Sequence, residues 1–329
     1  MVGMRAGGRI AALLAGVAAL TLGTAACSST GGGDATSTPT STGSQAGDRS
    51  GVPGSQGSVP DRIVQVLAST NVWGDVVLQV GGNRVAVTSL MSDPSADPHS
   101  YQATAQNQLA VSKAALIVAN GGGYDDFVDT MSKAANVKAP VIHAVDLLTN
   151  KPAAGEELNE HVWYDFPTVV AVADSVRDKL SAIDPAGAAD YASNAKAFAD
   201  KVAGLEKKEA DIKAKSAGVP VSITEPVPLY LLEASGLVNK TPKEFSEGIE
   251  EGTDVSAAVL ADTLKLYSDK QVKALVYNEQ TSGPETEKVL AAAKAADIAV
   301  VPVTETLPQG KNFISWMTDQ LDAVAAAVA

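Results

Sequence analysis

AADYASNAKAFADKVAGLEKKEADIKAKS, residues 188–216, divides this chain of 329 residues into two halves. The stretch has no proline, and Gly204 is its only glycine. Tyr191, Phe198, Val202, Leu205 and Ile212 recur at a helical period, while lysines and acidic residues fill the opposite face. The spacing predicts one long helix of about 42 Å at 1.5 Å per residue. Short apolar runs alternate with helical stretches on either side of it, so the helix is expected to bridge two lobes. One stiff connector implies limited hinge motion.

Before the helix, RIVQVLAST (62–70), VAVTSL (85–90), ALIVAN (115–120) and VIHAV (141–145) read as strands. NVWGDVVLQVGG (71–82), residues 104–113 and DDFVDTMSKAA (125–135) read as the helices between them. After it, VPVSIT (219–224), VKALVYN (272–278) and IAVVPV (298–303) read as strands. PLYLLEASGL (228–237), DVSAAVLADTLKLYSD (254–269), PETEKVLAAAKAAD (284–297) and FISWMTDQLDAVAAA (313–327) read as helices. Such alternation points to parallel sheets with helices on their faces. The expected fold class is α/β, with an N-terminal lobe over 60–187, the connecting helix over 188–216 and a C-terminal lobe over 217–329.

The first 26 residues read as a signal peptide: Arg5 and Arg9, the apolar run AALLAGVAALTLG (11–23), then TAA before Cys27. The run is too short to span a bilayer, which takes about 20 apolar residues. Cys27 is the chain's only cysteine. Its place resembles that of the lipidated cysteine of a bacterial lipobox, although Thr24 stands where leucine is usual. The alternative is a plain secretory signal followed by a chance cysteine. A single cysteine excludes internal disulfides and cysteine metal sites. Residues 27–59 are Ser, Thr, Gly, Pro and Asp with little to bury, which predicts a lipid-anchored disordered linker. The formal net charge of −13 argues against nucleic acid and mildly favours cations.

Two of the three histidines lie in segments that each hold one candidate donor. His99 is in DPHSY (97–101) and His161 in NEHVWYD (159–165); Glu225 is in TEPVPLYLLEASGL (224–237) and Glu305 in VVPVTETLP (300–308). His99, Glu225 and Glu305 each follow a predicted strand, where parallel sheets bind ligands. Locally, His99 also reads as a surface or capping residue, His161 as a helix start, Glu225 as a helix N-terminal cap and Glu305 as a loop glutamate. Taken together, two imidazoles and two carboxylates suit a divalent transition metal held in a cleft between lobes. The third histidine, His143, sits inside a strand and reads as structural. HExxH, GxxxxGK[ST] and GxSxG are absent.

VVLQVGG, DPHSY, ALIVANGGGYDDFVD, HVWYD, EPVPLYLLEASGL and VTETLP follow one another in this order. In these segments the chain resembles the metal-binding substrate-binding lipoproteins of ABC importers, the zinc and manganese receptor family, over about residues 62–329. The resemblance implies two α/β lobes bridged by a long helix, with His99, His161, Glu225 and Glu305 as metal ligands. In that family the third ligand is histidine in typical zinc receptors and glutamate in typical manganese receptors. The fourth is normally aspartate, so Glu305 departs from the pattern by one methylene. Residues 146–160 lack the histidines of many zinc receptors' loops. The expected ligand is therefore manganese ahead of zinc, with iron(II) as a third candidate. The implied function is a monomeric, non-enzymatic extracytoplasmic receptor, anchored to the plasma membrane through Cys27, that delivers its ion to an ABC permease. The alternatives are a secreted metal-dependent hydrolase, for which Glu279 is the one candidate base, and an adhesin on the same fold.

Overall fold

A computed structural model describes residues 62–93, 101, 103–149, 151, 152 and 157–329. The expected signal peptide, Cys27, the linker and His99 lie outside the described residues.

The first lobe is built from β1 (Val64–Thr70), α1 (Asn71–Gly81), β2 (Val85–Met91), α2 (Ala105–Lys113), β3 (Leu116–Ala119), α3 (Asp126–Ala134) and β4 (Val141–His143). Its strands pair in the order β2-β1-β3-β4, all parallel. Next come α4 (Phe166–Ile183) and the 29-residue α5 (Ala188–Ser216). The second lobe holds β5 (Pro220–Ile223), α6 (Leu229–Ala234), β6 (Val238–Asn239), α7 (Lys243–Glu250) and α8 (Ala257–Ser268). It continues through β7 (Ala274–Asn278), α9 (Pro284–Ala295), β8 (Ala299–Val303) and α10 (Phe313–Ala327). Its strand order, β6-β5-β7-β8, repeats that of the first lobe, again all parallel. The α/β class with two parallel sheets and a long helix is therefore the observed architecture.

Local chemistry sets the element ends. The Thr70 hydroxyl accepts from the Trp73 amide to cap α1, and an Asn312 side-chain oxygen accepts from Ser315 to cap α10. The strand expected over 141–145 stops at His143 and turns into a short 3₁₀ segment, Ala144–Leu147. His161 does not open a long helix. It precedes one 3₁₀ turn, Val162–Tyr164, and α4 starts only at Phe166, capped by Asp165 on the Thr168 amide. The elements β6 and α7 carry no expectation from sequence. β6 is two residues long, and α7 is one acidic amphipathic piece that buries Phe245.

The long helix unites the lobes. Its apolar face, with Tyr191, Phe198, Val202, Leu205 and Ile212 buried, packs on α1 and α4 of the first lobe and on α10 of the second. Phe198 meets Phe313 at 6.1 Å between ring centroids, and Phe313 meets Phe166 and Trp316 at 6.3 Å. One continuous core runs from β1 to α10, while smaller clusters cover the outer faces of the two sheets. Replacing Phe198 with alanine removes the ring at this junction and is expected to cost about 3–5 kcal/mol. Urea unfolding followed by far-UV circular dichroism measures the loss.

Candidate metal centre

The carboxyl ends of both sheets converge on a small buried cluster of charged side chains. Glu225 lies two residues past β5, Asn278 ends β7, and Glu305 lies two residues past β8. Glu250, the last residue of α7, and His161, from the loop ahead of α4, complete the cluster. His161 and Glu305 are fully buried, and Glu225 is 1% exposed.

The His161 ring is held from one side and presented on the other. Its Nδ1 lies 2.7 Å from the Asn159 side-chain oxygen, which can only accept, so Nδ1 carries the proton there. Nε2 faces Glu250 at 3.2 Å and Glu305 at 3.7 Å. In the neutral ring, Nε2 is therefore the nitrogen that bears the lone pair, with its orientation set by a hydrogen-bonded neighbour, as metal-binding imidazoles require. The other end of the Asn159 amide donates to the Pro226 carbonyl at 3.1 Å. One amide thus positions the imidazole against the backbone just after Glu225. Trp163 and Tyr124 wall the ring at 5.1 and 6.1 Å between centroids.

The carboxylates are gripped from the second lobe. Asn278 Nδ2 donates to Glu305 Oε1 at 2.9 Å, and the Glu305 amide donates to the Gln280 side chain. Asn278 and Thr281 act to lower the Glu225 carboxyl. Its Oε2 nevertheless has no hydrogen-bond partner, an orphaned acceptor in a buried site. Across the lobes, Tyr164 donates to the Thr304 carbonyl at 2.9 Å. Asn71 exchanges two hydrogen bonds with the Leu307 backbone, at 2.8 and 2.9 Å.

Crowded like charges shift the titrations. Burial, then Glu250 and Glu305, raise the Glu225 carboxyl to about 8. Burial works to lower the His161 imidazole, but Glu250 first and then Glu305 outweigh it and lift it to about 10. Burial and the neighbouring Glu305 hold the Tyr124 phenol well above its ordinary range.

Of the four donors expected from sequence, the described residues bring together His161, Glu225 and Glu305. His99 lies outside them. Among the described residues, no three or more His, Cys, Asp or Glu side chains stand in a metal-holding arrangement by themselves. His161 Nε2 is turned to Glu250 and Glu305 instead. His143 faces Asp129 at 3.1 Å and Asp146 at 3.9 Å, not this cluster. Glu279, the one base named for a hydrolase, is exposed. Sequence reasoning missed Glu250, Asn159 and Asn278. GIEEG (248–252) offered only adjacent acidic residues as a signal, and neither amide stands out from the other polar residues near it.

The model of the family described as zinc-uptake complex component A, periplasmic, matches residues 66–327. The chain belongs to that family. The chain is 26% identical over 247 residues to the manganese-binding lipoprotein MntA of Bacillus subtilis (strain 168), covering 73% of this chain and 79% of that one. It is 24% identical over 284 residues to the manganese ABC transporter substrate-binding lipoprotein scaA of Streptococcus gordonii, covering 81% and 89%. A solved zinc-bound deletion mutant of ZnuA shares the fold, with a TM-score of 0.69 at 21% identity over 81% of this chain and 98% of that one.

Asn278 donates to the buried Glu305 carboxylate of this family member, and it is 1% exposed. Asn278→Ala leaves Glu305 Oε1 without that donor and is expected to cost about 1–3 kcal/mol. Chemical denaturation of the variant beside the parent reads the difference.

Proposed function

We propose that this chain is an extracytoplasmic receptor that captures one divalent transition metal ion between its lobes and delivers it to an ABC permease. Lipid anchoring at Cys27 keeps it at the plasma membrane. The ligands are His99, His161, Glu225 and Glu305, with His99 supplied by the DPHSY segment. The relatives named for manganese, and the family to which this chain belongs, support the reading.

The observation that carries it is the charge of the buried cluster. Glu250 and Glu305 face one imidazole, Glu225 adds a third carboxyl group that feels both of them, and Glu225 Oε2 has no hydrogen-bond partner. Such a set is costly to bury ionised, so it holds either protons or a metal cation. A divalent ion supplies two positive charges and takes the orphaned oxygen as a ligand. Carboxylate-rich donors with imidazole suit manganese or iron(II), and zinc competes through its higher intrinsic affinity.

The full chain, stripped of metal, is expected to bind manganese and zinc one to one. Glu225→Ala should abolish or severely weaken both, as read by competition against a fluorescent chelator. No binding of either ion by the parent chain would sink the receptor reading.

The titrations set the pH dependence. The unperturbed histidine value would place the loss of binding below about pH 6. With His161 raised to about 10 and Glu225 to about 8, both hold protons at pH 7. An ion must expel them, so affinity rises with pH throughout pH 5–8 and each ion releases about two protons at pH 7. Calorimetry in buffers of different ionisation enthalpy counts those protons. An uptake of protons on binding, or none exchanged, contradicts the assignment of His161 and Glu225.

A further inference from the structure

Glu305 sits on a short segment that both lobes hold. The Thr304 hydroxyl donates to the Thr306 carbonyl at 2.9 Å, so residues 304–306 close on themselves and move as one unit. The second lobe grips this unit through Gln280, whose side-chain oxygen accepts from the Glu305 and Thr306 amides, and through Asn278 on Glu305 Oε1. The first lobe grips its two ends. The Tyr164 hydroxyl donates to the Thr304 carbonyl at 2.9 Å, just before Glu305. Asn71, at the start of α1, accepts from the Leu307 amide at 2.8 Å and donates to the Leu307 carbonyl at 2.9 Å, just after the unit. Tyr164 is fully buried. It also ends the 3₁₀ turn that His161 precedes, and its amide donates to the His161 carbonyl at 3.1 Å. One hydroxyl therefore ties the turn that carries the imidazole to the segment that carries the carboxylate. Across that tie, Glu305 Oε2 stands 3.7 Å from His161 Nε2.

We infer that Tyr164 and Asn71 are positioning residues of this receptor: reaching from the first lobe, they set where Glu305 stands against His161, so this ligand of the second lobe is in place only while the lobes touch. The inference rests on the metal-receptor reading above. Neither side chain meets the ion; each acts through the backbone on one side of Glu305. A hydrogen bond stretched beyond about 3.5 Å is lost, so a relative shift of the lobes by about 1 Å frees both ends of the segment. The same shift carries His161 away with its turn. A permease that moves the lobes that far loosens one donor from each lobe together. A further tie between α1 and the same loop lacks this role. Asp75, one turn beyond Asn71, accepts from the Phe313 amide at 2.8 Å and holds the loop only at its far end, where α10 begins.

Tyr164→Phe removes one oxygen and keeps the ring, while Asn71→Ala removes both bonds to Leu307. In the full chain, each is expected to weaken Kd for manganese and zinc about tenfold, the lower end of the cost of losing an outer partner at a metal site. The loss should lie in dissociation, read by stopped-flow mixing of the loaded chain with excess chelator, with association near the parent's. Cobalt(II) bound in place of manganese has a visible spectrum that reports its donors, and it should change in both variants. Asp75→Ala is the control: its urea midpoint should fall, while Kd and the cobalt spectrum stay with the parent's. Unchanged Kd and spectra in Tyr164→Phe and Asn71→Ala would make the two ties structural only and overturn the inference. An equal loss of affinity in Asp75→Ala would make the effect one of loop stability in general and overturn it as well. The two variants act at opposite ends of the segment, so either one serves if the other does not fold. Binding by the parent chain is measured first, so failure of the receptor reading is seen separately.

Discussion

Carboxylates buried side by side repel one another in a medium that screens poorly, and Glu225, Glu250 and Glu305 are placed in that situation, the last two against His161. What surrounds them answers that repulsion. Asn278 donates to Glu305, Gln280 accepts from the Glu305 amide, and Asn159 fixes the ring so that Nε2 faces the oxygens. Trp163 and Tyr124 line the ring with aromatic surface. The site stays acidic at its centre, and that acidity gives it an appetite for a cation.

The frame exists to hold such a cluster at the meeting of two sheets. Both lobes use the same parallel strand order, so in each the carboxyl ends of central strands sit where connecting segments diverge. The second lobe sends Glu225, Asn278 and Glu305 from those ends. The first lobe sends Asn71, which bonds the Leu307 backbone two residues past Glu305, and Asn120, which receives the Trp73 indole N–H at 3.2 Å and reaches the Glu160 carbonyl at 2.9 Å. Gly121–Gly123 follow at positive φ, a turn open to glycine, and a side chain at Gly121 would come within 2.8 Å of Val145. The shared core along α5 means that pulling one lobe away from the other would expose apolar surface from β1 to α10.

Helical periods and strand runs were readable because apolar spacing reports one buried face, and that held for α1, α5, α9 and α10. The reading was poorer where local chemistry ended an element. His161 looked like a helix start because VWYDF is apolar, but Asp165 caps α4 and leaves the histidine in a separate turn. α7 went unread because KEFSEGIE is short and mostly polar, with only Phe245 deeply buried.

Composition, apolar periodicity and the order of six segments were enough to determine an acidic α/β chain of two lobes, and they named His99, His161, Glu225 and Glu305 as candidate donors. Those are local or serial properties, written in neighbouring residues. Tertiary structure alone decided that Glu250, rather than Glu251 beside it, points at the imidazole, and that Asn159 and Asn278 orient the donors. Residues 159, 250, 278 and 305 are brought together only by chain closure, which no local spacing encodes. The charge that matters at this site is a sum over side chains that meet only when both sheets have folded.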